Sequence, residues 1–220
     1  MNDGMRRQLV DAGIVLLERD GVAALSVRNL AAEIGTSTMA VYTHFGGMTG
    51  VVDAIASEVF ARFTQALTEV PQTDDPVADF LSMGIAYHGF AMANPQRYQL
   101  IFGTSAPAAL ASYRTDLTVT GSASGRAVWG VSFEALRNAV HRMIAAGRIR
   151  DDDELSIAGR IWSIIHGAVM LEMAGFFGHE GHGAAQILGP LTVDALVGMG
   201  DDRDRVNQSL TAALNALAGG

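Results

Sequence analysis

The sequence contains no cysteine, which excludes disulfide frameworks, thiolate metal centres and cysteine nucleophiles. Lysine is also missing: all 15 cationic side chains are arginine, set against 23 Asp and Glu for a net charge of −8. That balance excludes bulk attraction to polyanions, because nonspecific nucleic-acid affinity rests on phosphate neutralisation by many cations. It leaves room for a small, local surface that reads DNA. The opening MNDGMRRQLV has two arginines but no uncharged apolar stretch behind them, so a signal peptide is not expected and the chain is read as cytoplasmic. The most apolar run, Ile161 to Gly178, carries His166 and Glu172 inside it. Polar groups at those depths are costly in lipid, so the run is read as an interior or subunit-contact helix and no membrane partner is expected.

Hydrophobic residues make up 49% of the 220 and charged ones 17%, the balance of an ordered globular protein of one large domain or two small ones. Period-2 alternation is hard to find anywhere. Helical spacing is abundant. Leu9, Ala12, Gly13, Leu16 and Leu17 form one face of a helix over Arg6 to Asp20. Ser26 precedes Val27, Leu30, Ala31 and Ile34, with Gly35 as the stop, and its hydroxyl is placed to cap the first turn. Thr36-Ser37-Thr38 then opens a short helix carrying Val41 and Phe45, ended by Gly46-Gly47. A fourth helix runs from Thr49 to Leu67, followed by the Thr73-Asp74-Asp75-Pro76 turn. Further helices are expected at Val77 to Met92, Arg97 to Phe102, Phe133 to Ala146, Leu155 to Phe176, Ala184 to Met199 and Val206 to Leu217. A loop with weak helical pieces is expected across Gly103 to Gly130. The fold class is therefore all-α with about nine or ten helices, divided near residue 63 into an N-terminal three-helix unit (1–63) and a larger helical domain (64–220).

The two short helices joined by a tight Gly-Thr-Ser turn have the spacing of a helix-turn-helix. The outer face of the second, with Thr38, Met39, Tyr42, Thr43 and His44, carries no acid, so a polyanion meets no repulsion there. Hydroxyls and an aromatic hydroxyl suit phosphates and groove edges. Residues 1–63 as a whole are not basic: Arg6, Arg7, Arg19, Arg28 and Arg62 face Asp3, Asp11, Glu18, Asp20, Glu33, Asp53 and Glu58, a net of −2.

Leu25-Ser26-Val27-Arg28-Asn29-Leu30-Ala31, then Ile34-Gly35-Thr36-Ser37, then Val41-Tyr42-Thr43-His44-Phe45, resembles the DNA-binding region of TetR-type transcriptional regulators over about Met5 to Phe63. More loosely, Asn94-Pro95 with Tyr98 and Phe102, then Trp162, His166-Gly167 and Leu171-Glu172, resembles the subgroup named for a Trp-His-Gly signature. The resemblance implies a homodimeric repressor that binds a double-stranded DNA operator and is released by a small-molecule effector, with no cofactor. It also implies that Ser37, Thr38, Met39 and Thr43 face base edges, that Tyr42 and His44 hold phosphates, and that Ser26 and Arg28 anchor or reach the groove. One departure stands out: where many members carry a phosphate-binding lysine, this chain has Met48. The amides opening the fourth helix remain available for that phosphate.

The net acidity and Met48 also motivate an alternative, a helical small-molecule-binding or catalytic protein with a vestigial N-terminal trihelix, but specific enzyme motifs find little support. His179-Glu180-Gly181-His182 is read as a glycine-flanked turn rather than a metal site. Gly121-Ser122-Ala123-Ser124-Gly125 has alanine where a nucleophile elbow needs serine, and Asp151 to Glu154 are charge complements at a helix start. No catalytic or metal residue is assigned. Met83, Tyr87, His88, Trp129, Phe133, Trp162, His166 and Met170 are candidate lining of an effector pocket with apolar walls and few polar groups, though such stripes more often serve as plain core. His166 and Gly167 suit either the cavity floor or a subunit seam. The apolar runs at 155–176 and 184–199 are expected to form the dimer contact.

Overall fold

The computed structural model describes residues 2–103, 107–178 and 182–218. Among them there is no β-strand, only an isolated antiparallel bridge between Arg114 and Ser124. The α-helices are α1 (Asn2–Asp20), α2 (Val27–Glu33), α3 (Thr38–Phe45), α4 (Met48–Thr68), α5 (Pro76–Ala93), α6 (Pro95–Phe102), α7 (Ala108–Ala111), α8 (Leu117–Thr120), α9 (Ala127–Ala145), α10 (Glu154–Met173), α11 (Gly189–Gly198) and α12 (Arg203–Ala218). Ten of these twelve have seven residues or more, which agrees with the all-helical expectation. No helix among the described residues is long and apolar enough to cross a membrane.

Three local expectations are corrected. Helix α9 starts at Ala127, inside the stretch read as loop, because Trp129 is driven into an aromatic cluster and brings its backbone with it. Helix α10 ends at Met173 rather than Phe176. There the amides of Gly175 and Phe176 turn back to the carbonyls of Glu172 and Leu171, a helix-ending motif that leaves Phe176 76% exposed. The helix expected over Ala184 to Met199 is a π-helical turn, Ala184–Leu188, followed by α11. Pro190 lies at the junction and lacks the N–H that a continuous α-helix would use.

The chain forms two compact units. The first comprises Met1–Arg62, Ala93–Thr115 and Ser124–Trp129. Leu9, Leu17, Leu30, Val41, Val51 and Ile55 are fully enclosed in its core, and Leu9, Leu17, Leu30 and Val41 are among the apolar positions whose three- and four-residue spacing marked α1 to α3. A second layer is aromatic: the Phe60 ring stacks on Trp129 at 4.9 Å and meets Phe102 edge-on at 5.6 Å, while Tyr113 meets Trp129 edge-on at 5.0 Å. Arg126 lies over both Tyr113 and Trp129 and pairs with Asp53 of α4. Hydrogen bonds to Asp53 and to Tyr113 raise the Arg126 pKa above its ordinary value.

The second unit comprises Phe63–Met92, Asp116–Ala123 and Gly130–Gly220. Val77, Val140, Met143, Ile157, Val169, Leu196 and Val206 form its core. At one end a polar network centres on Arg148, whose side chain is only 6% exposed and pairs with a fully buried Asp201. Its Nε donates to both Asp201 oxygens at 3.0 and 3.1 Å, Nη1 to Asp75 Oδ1 at 2.8 Å, and Nη2 to Ser209 Oγ at 3.2 Å. The Ser209 hydroxyl in turn donates to Asp75 Oδ2 at 2.6 Å. Arg142 adds bonds to Asp79 Oδ2 and to the Thr73 carbonyl, both 2.7 Å. The turn between α4 and α5 is thus held by two arginines and by α12.

Partial burial pushes the Asp75 carboxyl up, but the Ser209 hydroxyl, the amides of Ala78 and Val77 and the Arg148 charge outweigh it and hold its pKa below the ordinary value. A carboxylate depressed on folding stabilises the native state above its unfolded pKa of about 3.9 and loses that contribution as pH falls through the lower folded value. Asp75→Asn is expected to melt at a lower temperature than wild type at neutral pH and to lose less on acidification below about pH 4. Thermal melts across that range check this; an unchanged acid-induced drop in melting temperature contradicts it.

Candidate nucleic-acid interface and effector site

The helix-turn-helix is assembled by local rules. Ser26 takes an extended conformation ahead of α2, and its Oγ accepts the Asn29 amide at 3.1 Å, the capping bond that the sequence predicts. Asn29 Nδ2 also donates to the Ala24 carbonyl at 2.9 Å, tying the cap to the preceding turn. Leu30 and Ala31 face inward. Gly35 leaves α2 with φ of +66°, a left-handed conformation that suits glycine, and the Thr36 amide returns to the Ala31 carbonyl at 2.8 Å. Ser37 stands at the α3 N-cap without a side-chain capping bond, so its hydroxyl is not committed to the helix.

Within α3, Val41 is fully buried and anchors the helix against the core, while Met39 is 69% and Tyr42 54% exposed. Thr38 and Thr43 are exposed as well, and His44 is half-buried. Large apolar and aromatic groups displayed on one side of a two-turn helix, with no acid among them, form a surface that brings no like charge against phosphate. The Thr43 hydroxyl donates to the Met39 carbonyl at 2.9 Å. What Thr43 offers outward is therefore its methyl group and an acceptor oxygen, which suit a thymine methyl or a base amine better than a phosphate. The Tyr42 ring lies against Gly47, where a Cβ would meet ring carbons at 3.5 and 3.7 Å. Gly46, left-handed with φ of +69°, ends the helix. Arg28 is exposed near the start of α2, with Ser26 half-buried beside it.

Most of the effector candidates gather on α5, α9 and α10 of the second unit. Tyr87 Oη lies 3.5 Å from His166 Nδ1, the Trp162 and His166 rings are 5.9 Å apart, and Phe133 meets Trp162 edge-on at 5.8 Å. Met83, Tyr87 and Phe133 are buried and Met170 is half-buried. His88 turns to Glu172, a residue noted in the sequence but not among the pocket candidates: its Nε2 is 2.8 Å from Glu172 Oε2, with side chains 17% and 9% exposed. The signal for Glu172 was present as an acid inside an apolar run, but its partner is 84 positions away. Trp129 belongs to the first unit, where its Nε1 donates to Ser57 Oγ at 3.4 Å. Of the His179 to His182 stretch, residues 179–181 lie outside the described residues. Among the described residues no group of three or more His, Asp or Glu could hold a metal. Asp153 caps α10 through its Oδ2 and the Ser156 amide at 2.8 Å, the helix-start role expected of that acidic run.

A capped helix, a glycine turn and a second helix that buries Val41 while displaying Met39 and Tyr42 define a helix-turn-helix DNA-binding regulator of transcription. The family comparison agrees: residues 9–55 match the model for bacterial regulatory proteins of the tetR family, and residues 80–196 match the tetracyclin repressor-like C-terminal domain. The chain belongs to the tetR family of transcriptional regulators. It is 25% identical over 209 residues to the HTH-type transcriptional regulator Rv1816 of Mycobacterium tuberculosis, covering 79% of this chain and 85% of that one. Among solved structures, a Rhodococcus sp. RHA1 protein of unknown function superposes with a TM-score of 0.69 at 25% identity, over 90% of this chain and 96% of that one. RolR in complex with resorcinol superposes with a TM-score of 0.65 at 13% identity, over 95% and 94%, a likeness of fold.

Proposed function

We propose that this regulator is a cytoplasmic homodimeric repressor, released from a palindromic operator by a small molecule. The observation that carries the reading is the acid-free, solvent-facing side of α3, held rigidly by a capped α2 and by Val41. Ser37, Thr38, Met39 and Thr43 meet base edges, Tyr42 and His44 take phosphates, and Ser26 and Arg28 anchor the approach. Amides in the first turn of α4 take the phosphate that a lysine at Met48 would otherwise hold. Two copies place their α3 helices in successive major grooves about 34–36 Å apart, and a dimer seated there obstructs transcription. Residues 1–63 carry the reading face, and 64–220 the effector site and subunit contact.

Leu171, Phe176, Ile187 and Leu191 are large apolar side chains left exposed on the segments 155–176 and 184–199, which supports a subunit contact there. The effector has an apolar body that lies among Met83, Phe133, Trp162 and Met170, with Tyr87, His88 and His166 as its few polar partners, a reading that fits the Trp-His-Gly subgroup. RolR with its bound resorcinol is an example of such a small molecule on this fold. An effector releases DNA only to the extent that it binds the two dimer shapes with different affinity.

Selection of random duplexes by the purified protein tests the reading. It is expected to return a two-fold symmetric motif, and candidate effectors are expected to weaken binding to it. Tyr42→Ala with Thr38→Ala is expected to weaken that binding by about tenfold or more, at about 1–3 kcal/mol per lost specific contact, with helical content intact. Unchanged affinity, or a monomer by sedimentation at micromolar concentration, refutes it.

A further inference from the structure

We propose that Arg6 of α1 is a DNA-phosphate contact, placed at the C-terminal end of α3 and standing outside the helix-turn-helix itself; the inference rests on the DNA-binding reading above. The Arg6 guanidinium lies over the Phe45 ring, 5.0 Å from its centroid, and Phe45 is the last residue of α3. An aromatic face attracts a guanidinium and limits its freedom, so the charge is already positioned before DNA arrives.

Its surroundings leave that charge available. Arg6 lines a groove with Arg7, Asp11, Asp53, Glu58 and Arg126. Each acid there has another partner: Asp11 pairs with Arg7 at 3.9 Å, Glu58 with Arg62 at 2.8 Å, and Asp53 with Arg126. Among the described residues Arg6 has no acidic partner. Between Ser26 and Gly50 the only permanently charged cation is Arg28, near the start of α2, so the end of α3 at Phe45 has no cation of its own.

Length completes the argument. The eight residues of α3 span about 12 Å at 1.5 Å per residue, close to the width of the B-DNA major groove, about 12 Å. A helix of that length with Thr38, Met39 and Thr43 against the bases brings groups just beyond its ends to the sugar-phosphate walls. Arg6 is such a group.

The test is the salt dependence of affinity, read by fluorescence anisotropy on two duplexes of about three helical turns, one carrying the selected operator and one of unrelated sequence. Each phosphate neutralised contributes about 0.9 to the slope of log affinity against log salt. For a dimer, Arg6→Gln is expected to reduce the slope by about 1.8, so that from about 50 to about 200 mM salt wild type loses about tenfold more affinity than the variant does. The loss is expected on both duplexes, because phosphate contacts carry no sequence information. Arg6→Lys, which keeps the charge, is expected to restore the slope, and Arg205→Gln, exposed on α12, to leave it unchanged. Wild type that binds neither duplex overturns the DNA-binding reading itself. Wild type that binds while Arg6→Gln shows the same affinity and slope overturns only the role of Arg6.

Discussion

Replacing Met39 by glutamate is expected to weaken operator binding at least about 100-fold, because a like charge brought against a partner costs several kcal/mol and a dimer incurs that cost twice. Met39 is 69% exposed, so the change leaves the core intact, and circular dichroism should show an unaltered helical content and melting temperature. Met39→Gln, similar in size but neutral, is expected to lose far less. Titration of both variants against the selected duplex separates charge from shape. Wild-type affinity in Met39→Glu would mean that this side of α3 does not approach DNA. The large expected effect follows from what the face lacks: Thr38, Met39, Tyr42, Thr43 and His44 include no acid.

The second large effect concerns stability. Asp201→Ala is expected to cost up to about 3–5 kcal/mol, the range for breaking a buried ion pair by removing one partner, reduced by the ion pair that Arg148 keeps with Asp75. Arg148 then keeps its charge with a side chain 6% exposed, and its Nε loses both of its acceptors. Replacing both partners, Arg148→Met with Asp201→Leu, is expected to be less damaging than Asp201→Ala alone, since no buried guanidinium is then left with Asp75 as its single carboxylate partner among the described residues. Urea unfolding midpoints compare the three proteins. If the single and double variants prove equally stable, the network on Arg148 is not organised as an obligatory pair.

These two sites differ in how far local sequence discloses them. The helix-turn-helix was legible because its determinants are close together in the chain: Ser26 caps three residues ahead, Gly35 turns the chain, and Val41 with Phe45 marks the inward side. Boundaries failed where a distant partner decides the local conformation. Ala127 to Gly130 read as loop from its small residues, but Trp129 stacks on Phe60 from α4, and that burial draws the helix start forward. The Arg148 network escaped altogether, because its members come from residues 75, 148, 201 and 209 and none has a periodicity to announce it. Glu172 was visible as an oddity but not as a partner of His88, since spacing along one helix says nothing about the helix opposite. Trp129 was grouped with the effector candidates by residue type, and only the fold assigns it to the first unit.

The aromatic layer beneath α4 bears on how the protein can be dissected. Phe60 is covered by Trp129 and Phe102, residues that join it from far along the chain, and Glu18 of α1 is paired with Arg97 of α6. A fragment cut after residue 63 keeps the whole helix-turn-helix but strips these covers away, leaving a bare ring where the intact chain has a sealed surface. The reading head is not a detachable module, and minimal fragments for binding studies have to carry their later-arriving neighbours with them.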